Sequence, residues 1–213
     1  MYLIIDCETT GLPKKRDAEL SDLDSWPRIV QLAWALYDEK EKEMETRNYL
    51  IRPDGFEIPE EAFRVHGITT EKARDEGKDI AEILRAFSAT AARAKFVVAH
   101  NLEFDKSVIE TEYIRLKLQR PKEYLRLKLR RPLESGSPKQ RRHFSDENFI
   151  CTMKQSKEYC KIPGKYGFKW PSLLELHEKL FGKGYDEMHD AGADVAACAH
   201  CFFELKRRGV ITA

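Results

Sequence analysis

The sequence predicts an α/β fold, and three observations predict it: a chain sized for one core, short apolar runs interleaved with segments of helical period, and a buried run that passes directly into a helix start. The 213 residues, 42% hydrophobic and 34% charged, suffice for one full core and are too short for two comfortable ones. A single domain over residues 1–213 is therefore expected.

The elements follow in order. Met1 to Gly11 opens with a short apolar strand that ends in Asp6 and Glu8. In an extended chain alternate side chains share a face, so the two carboxylates project together. Side by side they repel unless a cation or a proton lies between them. Pro13 to Pro27 is polar and reads as a loop. Ile29 to Tyr37 and Glu43 to Ile51 are apolar-rich strands joined by a hairpin at Asp38 to Lys42, so the first three strands can pair antiparallel. Glu60 to His66 is a short helix closed by Gly67. Asp79 caps a helix through Ala94, with Ile80, Ile83, Leu84 and Phe87 at core spacing.

Phe96 to Ala99 is a short buried strand that runs straight into His100 to Asp105 and a helix carrying Val108, Ile109 and Ile114 on one face. Such junctions are where α/β sheets place ligands. Phe149 to Cys151 is the last strand, and Thr152 caps a helix to about Tyr159. Ser172 to Phe181 is strongly periodic, and a final helix from near Asp190 to Arg208 has Val195, Cys198, Ala199, Phe202 and Leu205 on its apolar face.

Charge is uneven although the totals balance, 37 Lys and Arg against 36 Asp and Glu. Residues 112–133 contain a tandem duplication, Glu112 to Lys122 followed by Glu123 to Leu133, within a basic insertion at about 112–145. From 112 to 142 there are eleven Lys or Arg and three Glu. The first copy ends the helix begun near Leu102, with Pro121 preventing its continuation. The insertion is either a solvated excursion or an electrostatic arm that follows phosphates. Five scattered cysteines fit reduced thiols better than a disulfide framework. Cys198-Ala-His-Cys201 has zinc-like spacing but lacks a second pair and lies on an apolar helix face. With no run of 18 apolar residues and no leader pattern, a soluble cytoplasmic protein without a membrane partner is expected.

Four acids stand at element ends: Asp6, Glu8, Asp105 and Asp194. Carboxylates suit magnesium or manganese, and two such ions can stabilise the attacking and leaving oxygens of a phosphodiester. His189, five residues before Asp194, has the chemistry to accept a proton from water near neutrality. Asp6-Cys-Glu-Thr-Thr-Gly11, His100-Asn-Leu-Glu-Phe-Asp105 and His189-Asp-Ala-Gly-Ala-Asp194 resemble, in order and spacing, the three motifs of the DEDDh 3′→5′ exonucleases. Val65-His-Gly-Ile-Thr69 resembles a further signature of the branch containing the epsilon subunit of bacterial DNA polymerase III.

The resemblance implies a ribonuclease H-like fold, with a five-stranded mixed sheet of three antiparallel strands and then two parallel to the first. It implies that Asp6, Glu8, Asp105 and Asp194 bind two divalent cations, Mg2+ or Mn2+, with His189 as general base. Thr9, Thr10, Glu61, His66, Asn101 and Phe104 would contact the terminal nucleotide, Phe104 by packing. The expected partner is a single-stranded DNA 3′ end, with RNA as the alternative substrate and a DNA polymerase as a possible associate. A non-catalytic nucleic-acid-binding module is the remaining reading. The basic duplication departs from the epsilon pattern.

Overall fold

The computed structural model describes residues 1–15, 17–118 and 148–213. Its centre is β1 (Tyr2–Thr9), whose first residues Tyr2, Leu3, Ile4 and Ile5 are all buried because both faces of the sheet are covered. β1 pairs antiparallel with β2 (Ile29–Tyr37), which pairs antiparallel with β3 (Glu43–Leu50). On its other edge β1 runs parallel to β4 (Phe96–Ala99), which runs parallel to β5 (Phe149–Cys151). The sheet order is β3-β2-β1-β4-β5, the expected three antiparallel strands and two parallel ones.

Helices α1 (Glu60–His66), α2 (Thr70–Glu76), α3 (Ile80–Ala91) and α4 (Leu102–Arg115) precede β5. After it come α5 (Thr152–Gln155), α6 (Lys157–Cys160), a hairpin of β6 (Pro163–Gly164) and β7 (Gly167–Phe168), then α7 (Leu173–Phe181) and α8 (Ala191–Arg207). Strand alternation sorts the core into two layers. Leu3, Ile5 and Cys7 pack with Leu32, Trp34 and Leu36 against Leu84 and Phe87 of α3 and Val108, Ile109 and Tyr113 of α4. Tyr2 and Ile4 face the opposite layer, with Leu176 of α7 and Val195, Cys198 and Phe202 of α8. Cys198 and Cys201 are free thiols inside this second core.

The termini of the helices follow local chemistry. Ser172 and Glu175 form a reciprocal capping box at α7, whose far end closes on Gly182 in the left-handed region. Asp79 accepts the Glu82 amide at the start of α3, and Thr69 accepts that of Lys72 at the start of α2.

The structure differs from the sequence expectation at several ends. α3 stops at Ala91 rather than Ala94. α4 ends at Arg115, six residues short of Pro121, because Lys117 adopts φ 51° and the amides of Leu118 and Lys117 return to the carbonyls of Tyr113 and Ile114. That pair of bonds satisfies the last carbonyls without proline or glycine. Tyr113 is buried where Ile114 is half-buried. Thr152 is the first residue of α5, not its cap, and the helix breaks after Gln155. α2 and the β6–β7 hairpin have no counterpart in the sequence expectation.

Arg115 belongs to the scaffold and not to a basic arm. It donates to the carbonyls of Leu23 at 2.5 Å, Trp26 at 2.8 Å and Pro27 at 3.2 Å, and to Glu112 Oε1 at 3.0 Å. Arg28 Nε also donates to that oxygen, at 2.8 Å. The loop leaving β1 is thereby clamped to α4. The rest of the basic insertion, including the second copy of the duplication, lies outside the described residues apart from 112–118.

Candidate active site

Asp6 and Glu8 have the parity of Tyr2 and Ile4, so they face the layer that contains α8. Beyond Glu8 the β1–β2 pairing skips a residue: Glu8 opposes Gln31, Thr9 opposes Ile29, and Val30 is the extra one. The extra residue belongs to β2, and such a bulge bends the strand that carries it and raises the local twist beside the end of β1. Asp194 lies in the first turn of α8 and His189 just before it. The start of α8 is fixed by Asp190, which accepts the amides of Gly192 at 2.9 Å and Ala193 at 3.1 Å. Gln31 Nε2 donates to Asp190 at 2.7 Å and Asn48 Nδ2 at 3.3 Å, tying the helix to β2 and β3.

Asp105 arrives from the other layer, on the first turns of α4. It is buried, and its Oδ1 accepts both the Cys7 amide and the Cys7 thiol at 3.1 Å each. Cys7 points to the α4 side because it sits between two residues that point away. Three elements from both faces of the sheet thus bring Asp6, Glu8, Asp105 and Asp194 together. Ligand atoms of Glu8, His189 and Asp194 lie within 4.8 Å of one another, close enough to share a cation.

Electrostatics report the same convergence. Burial, and then the neighbouring Asp105, Asp194 and Glu8, hold the Asp6 carboxyl well above its usual range. Burial followed by repulsion from Asp194, Asp105 and Asp190 pushes Glu8 up to about 8. Burial raises Asp105 to about 7 against the opposing hydrogen bonds from Cys7. Asp194 is raised by burial and held back by Tyr185, whose hydroxyl donates to Oδ1 at 2.6 Å, and by His189. A set of hard oxygen donors that repel one another this strongly fits divalent cations.

The remaining candidate residues occupy distinct places. Thr9 is buried and donates to the Gly11 carbonyl at 2.7 Å. The Thr10 hydroxyl accepts the Arg28 amide at 2.9 Å and keeps its own proton to offer. His66 Nδ1 accepts the Ile68 amide at 3.1 Å, bracing the turn through Gly67. Its buried Nε2 approaches the Thr9 carbonyl without hydrogen-bond geometry, and burial followed by the nearby His189 lowers its pKa. Glu61 is exposed on α1, Asn101 is exposed at φ 76° before α4, and Phe104 leans on the first core.

Tyr185, Cys7 and the Asp190–Gln31–Asn48 group were not singled out by sequence. Cys7 had a legible signal, since a residue between two same-face acids must point to the other layer. Tyr185 had none, being four residues upstream of His189 on an irregular segment.

A family model described as RNase T, an exonuclease, matches residues 3–202. No curated protein matches the chain. Among solved structures, Escherichia coli exonuclease I in complex with a dT13 oligonucleotide is similar with a TM-score of 0.69 at 19% identity, over 97% of this chain and 41% of that one. The zinc-bound complex of E. coli exonuclease I with single-stranded DNA gives 0.65 at 20% identity, over 97% and 40%. A product-bound exonuclease I gives 0.67 at 18% identity, over 98% and 44%. The chain therefore spans about two fifths of the length of these proteins, and the likeness establishes the ribonuclease H-like exonuclease fold. With the family model covering nearly all of its length, the chain belongs to the RNase T family of exonucleases.

Proposed function

We propose that the chain is a metal-dependent 3′→5′ exonuclease that acts on single-stranded or frayed DNA ends and releases 5′-mononucleotides. The observation that carries this reading is the meeting of Asp6, Glu8, Asp105 and Asp194 from both layers of the sheet, with His189 within ligand reach of Glu8 and Asp194. Asp6, Glu8, Asp105 and Asp194 would hold two divalent cations, Mg2+ or Mn2+, which supply charge neutralisation at the phosphodiester and an acidified water.

His189 is exposed beside the acids and takes the proton of the attacking water. The water oxygen bonds to phosphorus, the bond from phosphorus to the preceding 3′-oxygen breaks, and that oxygen takes a proton from solvent, to which His189 returns the one it accepted. Thr9 contributes backbone to the terminal nucleotide, because its hydroxyl is committed to Gly11, whereas Thr10 can offer its hydroxyl. His66 braces the turn beside Thr9, and Glu61, Asn101 and Phe104 frame the nucleotide. The Val65 to Thr69 signature supports the epsilon-like branch.

The exonuclease complexes with single-stranded DNA support that substrate class by likeness of fold. The test is a cleavage time course on 3′- and 5′-labelled DNA and RNA with magnesium, manganese and chelator. Stepwise shortening from the 3′ end, faster on DNA and abolished by chelator, is expected. Asp6→Ala should remove cleavage and leave the fold standing. Shortening from the 5′ end, or cleavage surviving Asp6→Ala, refutes the site, and faster RNA removal refutes the sugar preference.

A further inference from the structure

The β6–β7 hairpin presents aromatic side chains to solvent in a basic setting, an unusual use of apolar surface. In Lys161-Ile-Pro-Gly-Lys-Tyr-Gly-Phe-Lys-Trp170 every residue except Ile162 is exposed, with Tyr166 at 89%, Trp170 at 50% and Phe168 at 38%. The segment contains three lysines and no acid. Lys165 lies 5.2 Å from the ring centroid of Tyr166 at the turn, and Lys169 pairs with Glu175 at 2.5 Å.

Backbone geometry orders this surface. Pro163 pairs with Phe168 and Gly164 with Gly167, and the Lys169 amide continues the ladder to the Ile162 carbonyl at 2.9 Å. Phe168 ends β7 and Trp170 lies two residues further, past the paired Lys169 amide; an extended chain there puts both residues on one side, with Cα atoms about 7 Å apart. Gly164 keeps the two strands close: a Cβ would stand 3.0 Å from the Gly167 carbonyl and 3.1 Å from Lys169 Cβ, so the pair would have to shift to admit one.

The base of the hairpin is fastened to the rim of the active site. Trp170 is followed by Pro171, whose carbonyl accepts His100 Nε2–H at 3.0 Å. Burial lowers the His100 pKa to about 4, so the ring is neutral, with its proton on the nitrogen that faces the carbonyl. Its Nδ1 lies 3.0 Å from the Thr152 hydroxyl. His100 directly precedes Asn101 and α4 at the end of β4, which runs parallel to β1, so the base of the hairpin stands at the same end of the sheet as the acids.

We infer that the Phe168–Trp170 face of the hairpin, with Tyr166 at its tip, is a stacking platform for the bases of a single-stranded polynucleotide upstream of the terminal nucleotide. Aromatic rings interleaved with lysines recognise bases and phosphates without reading sequence, which suits a strand that must advance. An acidic peptide would use the lysines but leave the exposed rings of Tyr166, Phe168 and Trp170 unused. This inference rests on the exonuclease reading for its direction and on the hairpin for its chemistry.

The experiment uses Asp6→Ala protein, which binds without cutting, with oligothymidylates and oligouridylates of increasing length. Tryptophan emission is read in a Trp26→Phe background, because Trp26 is half-buried in the loop leaving β1 while Trp34 is fully buried and Trp170 is exposed; emission should fall on binding, and Trp170→Phe should abolish the quench. Phe168→Ala with Trp170→Ala should lose the affinity gained on lengthening from two nucleotides to six, by roughly 5- to 150-fold for each stacked base. Quenching that persists in Trp170→Phe overturns the inference, as does an unaltered gain of affinity in the double variant. Should the parent leave the oligomers uncut with manganese while the quench appears, the platform stands and the nuclease assignment falls.

Discussion

The acid cluster makes a prediction about stability as well as catalysis. Glu8 rises from 4.5 to about 8 on folding through burial and the carboxylates of Asp194, Asp105 and Asp190. A carboxyl raised in the folded state binds its proton more tightly there than in the unfolded chain. Stability is then unaffected below pH 4.5, falls as pH rises through the window to about 8, and levels off above it. At roughly 1.4 kcal/mol per pH unit the whole window corresponds to about 5 kcal/mol. Water at the open end of β1 screens part of this, leaving an expected loss of about 2–3 kcal/mol. Urea unfolding in chelator at pH 5 and pH 8 measures it. The parent should be less stable at pH 8, Glu8→Gln should recover about 2–3 kcal/mol there, and saturating Mn2+ should stabilise the parent more than the variant, which keeps three of the four carboxylates. Identical pH dependence of parent and Glu8→Gln in chelator refutes the reasoning.

Other substitutions separate the roles of neighbouring groups. His189→Ala should slow hydrolysis roughly 10²- to 10⁴-fold, the usual contribution of a general base, with oligonucleotide affinity retained; single-turnover cleavage against a binding titration checks both. Tyr185→Phe removes the 2.6 Å hydrogen bond to Asp194 and should weaken Mn2+ binding about 10- to 100-fold, read by metal titration of the folded protein. Glu112→Ala leaves Arg28 and Arg115 without their shared carboxylate and should cost about 3 kcal/mol in urea unfolding, with little change in cleavage per folded molecule.

What was legible in the sequence was what is encoded locally or by parity. The strand bounds of Ile29–Tyr37 and Phe96–Ala99 followed from apolar runs, and Asp79 and Gly67 marked helix ends by cap chemistry. α2 was invisible because Ala73 is its one buried residue, leaving no apolar period to detect. The β6–β7 hairpin has strands of two residues, too short for alternation to register. Pro121 was a reasonable stop for α4, but Lys117 in the left-handed region ends the helix earlier by a conformation that non-glycine residues seldom advertise. Charge counting placed Arg115 in a basic arm because it cannot see carbonyl partners about ninety residues away at Leu23 and Trp26. The acids were legible as candidates from their positions at element ends and from the family resemblance. That Asp105 comes from the opposite layer, and is held by Cys7, was not.

β1 divides the work by alternation. Its inward partners Leu3, Ile5 and Cys7 secure α4, while Asp6 and Glu8 face α8, so Asp194 meets them within one layer and Asp105 must come round the strand end. Each approach is secured by groups other than the four acids: α4 by the Glu112 clamp, and α8, beside the acids, by Asp190 with Gln31 and Asn48. Helices fixed in this way cannot relax to separate the carboxylates, so repulsion remains in the metal-free fold. That repulsion opposes folding and favours cation binding by the same amount, because the free energy of binding includes relief of the charge repulsion. A variant that loosens either anchor should therefore weaken metal binding even where no ligand is touched, since freedom to separate gives the carboxylates another way to lower their energy.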